Sequence, residues 1–146
     1  MTVVDANILL YAYNADAPEH SRACSWLKAL FASREWIGLP WLCLWAFLRI
    51  STNPRLFPRP LAPAESFKIV RGWLDVPRVR VVEPGPRHAD ILERLVTECQ
   101  AACSLLTDAA LAALAIEQGA VLASSDRGFR RYPELRWTNP LEAATG

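Results

Sequence analysis

Three aspartates stand where apolar segments of this sequence end or begin. Asp5 follows the first strand-like residues in "TVVDAN", Asp126 ends the run "VLASSD", and Asp108 lies in the first turn of a predicted helix, "LLTDAALAALAIEQG". Three carboxylates held close together repel one another strongly unless a cation shares their charge. Oxygen ligands of this kind suit Mg²⁺, with Mn²⁺ as a substitute, and such an ion activates water for attack on a phosphodiester. The three aspartates therefore predict a metal-dependent hydrolytic site.

Each aspartate also has a structural explanation of its own. An aspartate at a strand end commonly starts a turn, and one in the first turn of a helix is favoured by the helix dipole. Ligands of open parallel sheets, however, bind beyond the carboxyl ends of the strands. If the two strands are neighbours, all three carboxylates meet at that edge. Small polar residues flank the acids, and the grouping favours a site over three separate caps: Asn7, Thr107, Ser124 and Ser125.

Strands and helices alternate along the chain that must position these acids. Strands are predicted at the N-terminus and in "EWIGLP", "RVRVVEPG", "AVLASSD" and "LRWTNP". Helices are predicted over "HSRACSWLKALFA", "WLCLWAFLRIST", "APAESFKIVRGWLD", "PRHADILERLVTECQAAC" and "LLTDAALAALAIEQG". Short apolar strands separated by helical crossovers predict a parallel sheet covered on both faces. Thr107 is placed to cap the last helix and Gly119 to end it, while the helix before it would put Cys99 and Cys103 on one face.

The bulk composition indicates one globular domain over residues 1–146. Apolar residues make up 52% of the chain, so a real core can form at this length. The apolar runs are broken well before membrane-spanning length, and no basic region precedes an apolar one at the N-terminus. We therefore expect a cytoplasmic protein that does not bind membranes.

Three stretches of the sequence resemble the PIN-domain ribonucleases of the VapC type, which are toxins of bacterial type II toxin–antitoxin pairs. They are "VVDANILLYA", "LPWLCLWAFLRISTNPRLFPRP" and "LLTDAALAALAIEQGAVLASSDRGFRRYP", and the likeness runs from about Met1 to Leu141. The resemblance implies a three-layer α/β/α sandwich with a parallel sheet of four to five short strands. It also implies an Mg²⁺-dependent endoribonuclease that cleaves structured RNA, such as tRNA or rRNA, with metal-activated water.

The same resemblance implies partners. They are a cognate VapB-type antitoxin, a second copy of the chain in a homodimer, and the RNA substrate. Operator DNA would be bound only through the antitoxin.

By matching positions, the resemblance assigns the catalytic and metal-binding roles to Asp5, Asp108 and Asp126. Asn7, Thr107 and Ser125 would support these acids. The sequence departs from the pattern at two places where many relatives carry further acids: Ala46, three residues ahead of Arg49 in "WLCLWAFLRIST", and Gly128, two residues after Asp126. The site therefore has fewer acids than many relatives, which leaves the number of bound ions open.

Arginines near the predicted site are candidates for phosphate contacts, which dominate the affinity of proteins for RNA. They are Arg49 in the helix "WLCLWAFLRIST" and the cluster in "DRGFRRYP", where Phe129 and Tyr132 are interleaved: Arg127, Arg130 and Arg131. A solvated surface run is the competing interpretation. Trp41 and Trp45 lie one turn apart on a nearly all-apolar helix, and they belong either to the core or to a surface shared with a dimer partner or the antitoxin.

Two other classes of protein fit part of the pattern. One is a PIN-fold RNA-binding protein with weak or no catalysis, which shares the fold and is separated from the nuclease only by a cleavage assay. The other is a phosphotransfer domain with an aspartate nucleophile after the first strand. That chemistry normally needs a lysine near the site, and Lys28 and Lys68 both fall inside predicted helices.

Overall fold

A computed structural model describes residues 1–143 as five parallel strands and six α-helices. The strands are β1 (Thr2–Val4), β2 (Ile37–Pro40), β3 (Val79–Val82), β4 (Val121–Ala123) and β5 (Arg136–Thr138). The helices are α1 (Ala6–Tyr13), α2 (His20–Ala32), α3 (Trp41–Ser51), α4 (Pro63–Leu74), α5 (His88–Glu98) and α6 (Leu106–Glu117). Within this part of the chain no helix is long and apolar enough to cross a lipid bilayer.

The sheet has the strand order β3-β2-β1-β4-β5, with β1 at its centre. Thr2 is in register with Ile37 of β2 on one side and with Val121 of β4 on the other. Because every pairing is parallel, the carboxyl ends of all strands lie at one edge. The chain leaves β1 toward β2 on one side and returns to β4 on the other, and open sheets bind ligands at such a reversal. The predicted parallel sheet is confirmed, and β1 and β4 are neighbours within it.

Helices cover both faces of the sheet, as predicted. Successive residues of a strand point to opposite faces, and Val3 and Val4 accordingly belong to different buried clusters. Val3 packs on the side of α5 and α6, with Leu95 and Leu114, whereas Val4 packs on the side of α1 to α4, with Phe47. The result is the expected three-layer α/β/α sandwich.

Two helical features differ from the sequence prediction. Helix α1 was not predicted, because the apolar run after Asp5 has no polar face to mark a helical period. The predicted helix over residues 86–103 ends at Glu98, since Gln100 and Cys103 adopt φ angles of 53° and 59°. An α-helix cannot continue through left-handed residues. Cys99 and Cys103 therefore do not share a helical face.

The ends of two elements also differ from the sequence prediction. The strand "AVLASSD" ends at Ala123, and Asp126 instead caps a short 3-10 turn, Arg127–Arg131. Thr107 does not cap α6, because a 3-10 turn at Cys103–Leu105 leads into that helix and Thr107 is already its second residue. Gly119 follows the end of α6 with a φ of 61°, as predicted for a helix-terminating glycine.

Candidate active site

The junction between β1 and α1 holds Asp5 by both carboxylate oxygens. Its Oδ1 accepts a hydrogen bond from the backbone N–H of Ala6 at 2.7 Å, which caps α1. Its Oδ2 accepts a hydrogen bond from the Ser124 hydroxyl at 2.6 Å. The carboxylate is therefore fixed at the carboxyl end of the central strand.

Ser124 is completely buried and joins this junction to the segment that follows β4. Besides donating to Asp5, its Oγ accepts hydrogen bonds from Asn7 Nδ2 at 3.0 Å and from the backbone N–H of Asp126 at 3.1 Å. The backbone N–H of Ser125 donates to Asn7 Oδ1 at 3.3 Å. Asn7 thus contacts Ser124 and the backbone of Ser125, and the hydroxyl that reaches Asp5 belongs to Ser124 and not to Ser125.

The register of the sheet explains why Ser124 is the contacting residue. Val4 is paired with Ala123, and the backbone N–H of Asp5 donates to the Ala123 carbonyl at 3.0 Å. The next positions along the two neighbouring strands are Asp5 and Ser124. The sequence contains both residues, but only the pairing of β1 with β4 places them side by side.

A cleft of about 170 Å³ opens between β1, α3 and α6 at this edge. Asp5 and Asp108 both line it, with Thr107 beside Asp108. Asp108 accepts no hydrogen bond from the residues that the structure describes, so its carboxylate is free to meet a ligand. Ala46 also lines the cleft and presents a methyl group to it.

Asp126 lies beside this cleft and not in its lining. Its Oδ1 accepts a hydrogen bond from the backbone N–H of Gly128 at 2.7 Å and so caps the turn that follows. Its negative charge nevertheless raises the pKa values of both Asp5 and Asp108. The structure therefore brings Asp5 and Asp108 to one cleft and sets Asp126 at its border.

Burial and mutual repulsion both disfavour the charged forms of Asp5 and Asp108 and raise their pKa values. Burial raises the pKa of Asp5 to about 6, against the lowering effect of the hydrogen bonds from Ser124 and Ala6. Burial also raises the pKa of Asp108, and the charge of Asp126 adds to this effect, whereas the guanidinium of Arg131 opposes it. A cation in the cleft would relieve the repulsion.

The donor set fits a hydrated divalent ion. Across residues 1–143 no three His, Cys, Asp or Glu side chains lie close enough together to form a complete metal site by themselves. Mg²⁺ commonly keeps several waters and is held by one or two carboxylates, with substrate phosphate as a further ligand. Asp5 and Asp108 supply that number of carboxylates to the cleft, and both are buried enough to have raised pKa values.

All four predicted RNA-contacting arginines are exposed. Arg131 is near enough to Asp108 to lower its pKa, and its Nε donates to the Gly128 carbonyl at 3.1 Å. Arg127 pairs with Glu142 at 3.0 Å, and the Arg130 guanidinium lies 5.4 Å from the centre of the Trp137 ring. Arg49 lies in the last turn of α3.

The two aromatic residues interleaved with these arginines are not on the surface. Phe129 and Tyr132 are both buried, 1% and 2% exposed. The turn therefore directs these two rings into the core, while the arginines between them remain exposed.

Comparison with known proteins assigns a family to this fold and site. The PIN domain family model matches residues 2–135. Ribonuclease VapC37 of Mycobacterium tuberculosis is 41% identical over 140 residues, which cover 96% of this chain and 97% of the relative. Ribonuclease VapC43 of the same species is 38% identical over 145 residues, 99% of each chain. This chain belongs to the PIN-domain family and, within it, to the VapC ribonucleases.

Solved structures show the same fold at much lower sequence identity. The VapBC2 structure from Rickettsia felis, bound to a promoter DNA fragment, contains a chain that matches with a TM-score of 0.70 at 18% identity, covering 94% of this chain and 97% of its own. A chain of VapBC-1 from nontypeable Haemophilus influenzae matches with a TM-score of 0.68 at 15% identity, covering 97% and 98%.

Proposed function

We propose that this chain is the toxin of a VapBC-type pair and an Mg²⁺-dependent endoribonuclease that cuts structured RNA, tRNA or rRNA. Residues 1–146 would act in the cytoplasm as one PIN domain. The observation that carries the proposal is the pair of carboxylates, Asp5 and Asp108, that share one cleft at the carboxyl edge of the sheet and both have raised pKa values. The relatives with 38–41% identity are named ribonucleases.

The residues of the site divide the work of holding an ion and a phosphodiester. Mg²⁺, or Mn²⁺ in its place, would supply a Lewis acid and an activated water for phosphodiester hydrolysis. Asp5 and Asp108 would hold the ion from the cleft, and Asp126 from its border. Ser124 and Asn7 keep Asp5 oriented through the hydrogen bonds described above, and Thr107 lies at the mouth beside Asp108.

RNA would reach this cleft across the exposed arginines. Arg131 is the one of these four arginines whose charge lowers the pKa of Asp108. An arginine there can contact the phosphate next to the one being cut and reduce its repulsion from the carboxylates. Arg49, Arg127 and Arg130 would extend the contact to neighbouring phosphates.

A VapB-type antitoxin is the proposed protein partner. The structural neighbours are VapBC complexes, and one of them is bound to promoter DNA. Operator DNA would be bound only through the antitoxin.

The exposed face of α3 supports a homodimer. Trp45 is 62% exposed and stacks on Trp41 at 6.3 Å between ring centres. Beside this pair lies an apolar cleft of about 470 Å³ lined by Leu42, Val82 and Leu114. A twofold dimer needs a self-complementary surface, and here a projecting ring and a cleft lie side by side.

Charges beside this face are also self-complementary. Arg71 and Asp75 line a second cleft with Trp41 and Phe67, and neither is in an ion pair within residues 1–143. A twofold axis would set each of these charges near its opposite on the other copy. Gel filtration of the isolated chain is expected to show a dimer that Trp45→Ala converts to monomer; a monomeric parent chain contradicts the assignment.

Cleavage of RNA by the purified chain tests the nuclease function. EDTA is expected to abolish cleavage and added Mg²⁺ to restore it, and Asp5→Asn and Asp108→Asn should each remove most of the activity. Asp90→Asn is the matched control, because Asp90 occupies the first turn of α5 as Asp108 occupies that of α6. Cleavage that survives metal removal, or full activity in Asp5→Asn, contradicts the proposal.

The second candidate is a PIN-fold RNA-binding protein with little catalysis. Ala46 and Gly128 favour it, because both stand where many relatives carry acids. RNA binding without metal-dependent cleavage in the same assay would establish it. Nothing in the cleft favours phosphotransfer, since Lys28 and Lys68 are exposed on α2 and α4 and neither lines it.

A further inference from the structure

Cys43 brings a thiol into the lining of the cleft that holds Asp5 and Asp108. The residue lies in the first turn of α3 and is 2% exposed. Of the four cysteines, all of which the structure describes, Cys43 alone lines this cleft. A thiolate is a soft ligand that suits Zn²⁺, whereas Mg²⁺ prefers oxygen. The function proposed above uses the carboxylates of the cleft and gives this thiol no role.

The thiol lies close enough to Asp5 for both side chains to bind one ion. Cys43 Sγ is 4.0 Å from Asp5 Oδ1. Zn²⁺ binds sulfur at about 2.3 Å and a carboxylate oxygen at about 2.1 Å, so two such ligands in tetrahedral geometry lie about 3.6 Å apart. A shift of about 0.4 Å would therefore bring the sulfur and the oxygen to the separation that a shared Zn²⁺ ion needs.

Asp5 Oδ1 keeps room for such an ion. It accepts one hydrogen bond, from the backbone N–H of Ala6 at 2.7 Å. A carboxylate oxygen has two lone pairs, so the second one of Oδ1 is available to a metal.

Asp108 can supply a third protein ligand. It lines the same cleft and accepts no hydrogen bond from the residues that the structure describes, so its side chain can move onto an ion. This movement is needed, because within residues 1–143 no three His, Cys, Asp or Glu side chains already lie close enough together to hold one. Two carboxylates, a thiolate and a water would then make up the four ligands that Zn²⁺ commonly takes.

We infer that Cys43 sets the metal selectivity of this cleft, because its sulfur and Asp5 bind the same Zn²⁺ ion, which takes the place of Mg²⁺ and stops RNA cleavage. This inference rests on the proposed function. The thiol releases its proton to the solvent as the bond between sulfur and zinc forms. An ion held by three side chains keeps fewer positions for water and phosphate than a hydrated Mg²⁺ ion held by two.

Cd²⁺ is the probe for the thiol, because a bond between cadmium and a thiolate absorbs ultraviolet light, whereas a carboxylate ligand gives no such absorption. The test chain keeps Cys43 as its only thiol, and serine replaces the three cysteines that do not line the cleft: Cys24, Cys99 and Cys103. Titration of this chain with Cd²⁺ is expected to produce the absorption, and an excess of Zn²⁺ should remove it.

Cys43→Ser in the test chain keeps the size of the side chain and removes the sulfur. The absorption should disappear, and the Zn²⁺ affinity measured by calorimetry should fall at least about tenfold, because loss of even an outer partner of a metal ligand costs about 10–100-fold. The Mg²⁺ affinity should not fall. In an assay with Mg²⁺, the variant should need at least about tenfold more Zn²⁺ than the test chain for the same inhibition of RNA cleavage.

Asp5→Asn shows whether the thiol acts together with the carboxylate. This variant of the test chain keeps Cys43, yet its Cd²⁺ affinity should fall at least about tenfold, since the ion loses a ligand. An unchanged Cd²⁺ titration would place the ion of the thiol away from Asp5 and overturn the inference, also in the case that Cys43→Ser does not fold.

The outcomes separate this inference from the function on which it rests. If Cys43→Ser changes neither the absorption nor the Zn²⁺ affinity, the selectivity role is overturned and the nuclease proposal stands. If the absorption depends on both Cys43 and Asp5 but the parent chain never cleaves RNA, the nuclease proposal is overturned and Cys43 remains a ligand for Zn²⁺. A parent chain that binds neither Mg²⁺ nor Zn²⁺ overturns both.

Discussion

The junction between β1 and α1 fixes its acid at both carboxylate oxygens, whereas the first turn of α6 leaves its acid without a hydrogen bond from residues 1–143. Asp5 is held by Ala6 and Ser124 within 2.7 Å. Asp108 lines the same cleft and is held by neither side chain nor backbone. One half of the site is therefore organised by the fold, and the other half is left to be organised by what binds.

This difference follows from the elements that carry the two acids. Asp5 is enclosed between the central strand and its neighbour β4, where hydrogen bonds across the sheet are unavoidable. Asp108 projects from a helix start, where the backbone N–H groups are free but the side chain has no strand beside it. A site built in this way would offer an ion one fixed carboxylate and one adaptable carboxylate.

Removal of the Ser124 hydroxyl should break the fixed half of the site. In Ser124→Ala, Asp5 loses the donor to its Oδ2, and Asn7 and the backbone N–H of Asp126 lose their acceptor. We expect RNA cleavage to fall about 10–100-fold, the usual effect of losing the partner of a metal ligand. The free energy of unfolding should fall by about 1–3 kcal/mol, because buried polar groups are left unpaired.

Ser125→Ala is the matched control for this prediction. Ser125 contributes only its backbone N–H to the network, which alanine retains, so cleavage and stability should both stay near the parent values. Equal losses in the two variants would show that the hydroxyl of Ser124 has no special role toward Asp5.

Much of this arrangement could be predicted from the sequence, because it depends on local pattern. Short apolar strands between helices fix a parallel sheet, and acids that follow strands must then lie at its carboxyl edge. The sequence does not show which side chain donates a hydrogen bond to Asp5. That assignment depends on the register of β1 against β4, and the sequence pattern predicts a last apolar strand that runs three residues further than β4, to Asp126.

Tyr132 illustrates a second limit of the sequence. The stretch "DRGFRRYP" mixes charged and aromatic residues, and its pattern does not show which side chains are buried. The 3-10 turn instead directs Phe129 and Tyr132 inward while the arginines remain outside. Short turns of this kind have no periodic pattern, so the direction of each side chain depends on tertiary packing.

The pH dependence of stability measures how strongly burial disfavours the charged form of Asp5, the acid of the fixed half of the site. The pKa of Asp5 in the folded chain is about 6, against an ordinary value of 3.8. The folded state therefore binds this proton more tightly than the unfolded state, and Asp5 favours folding at low pH. Its contribution is lost as the pH rises from about 4 to about 6, on the order of 2–3 kcal/mol in all.

Melting temperatures of the metal-free parent chain and of Asp5→Asn, compared between pH 4 and 7, check this expectation. The difference between the two should grow with pH in favour of the variant, which carries no charge at this position. Added Mg²⁺ should stabilise the parent chain above pH 6 and the variant much less. Parallel curves of melting temperature against pH for the two chains would mean that burial does not raise the pKa of Asp5.

Replacing the arginines beside Asp108, in the adaptable half of the site, should have the smallest of the three predicted effects. Arg130→Ala together with Arg131→Ala removes two exposed cations from the turn after Asp126, one of which is near Asp108. Each phosphate contact to single-stranded RNA contributes about 0.7 to the slope of log affinity against log salt. The slope for RNA binding should therefore become shallower by up to about 1.4.

The control removes Arg78 and Arg80, which lie at the start of β3 and so at the opposite edge of the sheet. If both double variants change the slope equally, the arginines of the turn do not guide RNA to the cleft. Asp108 would then be organised by the ion alone.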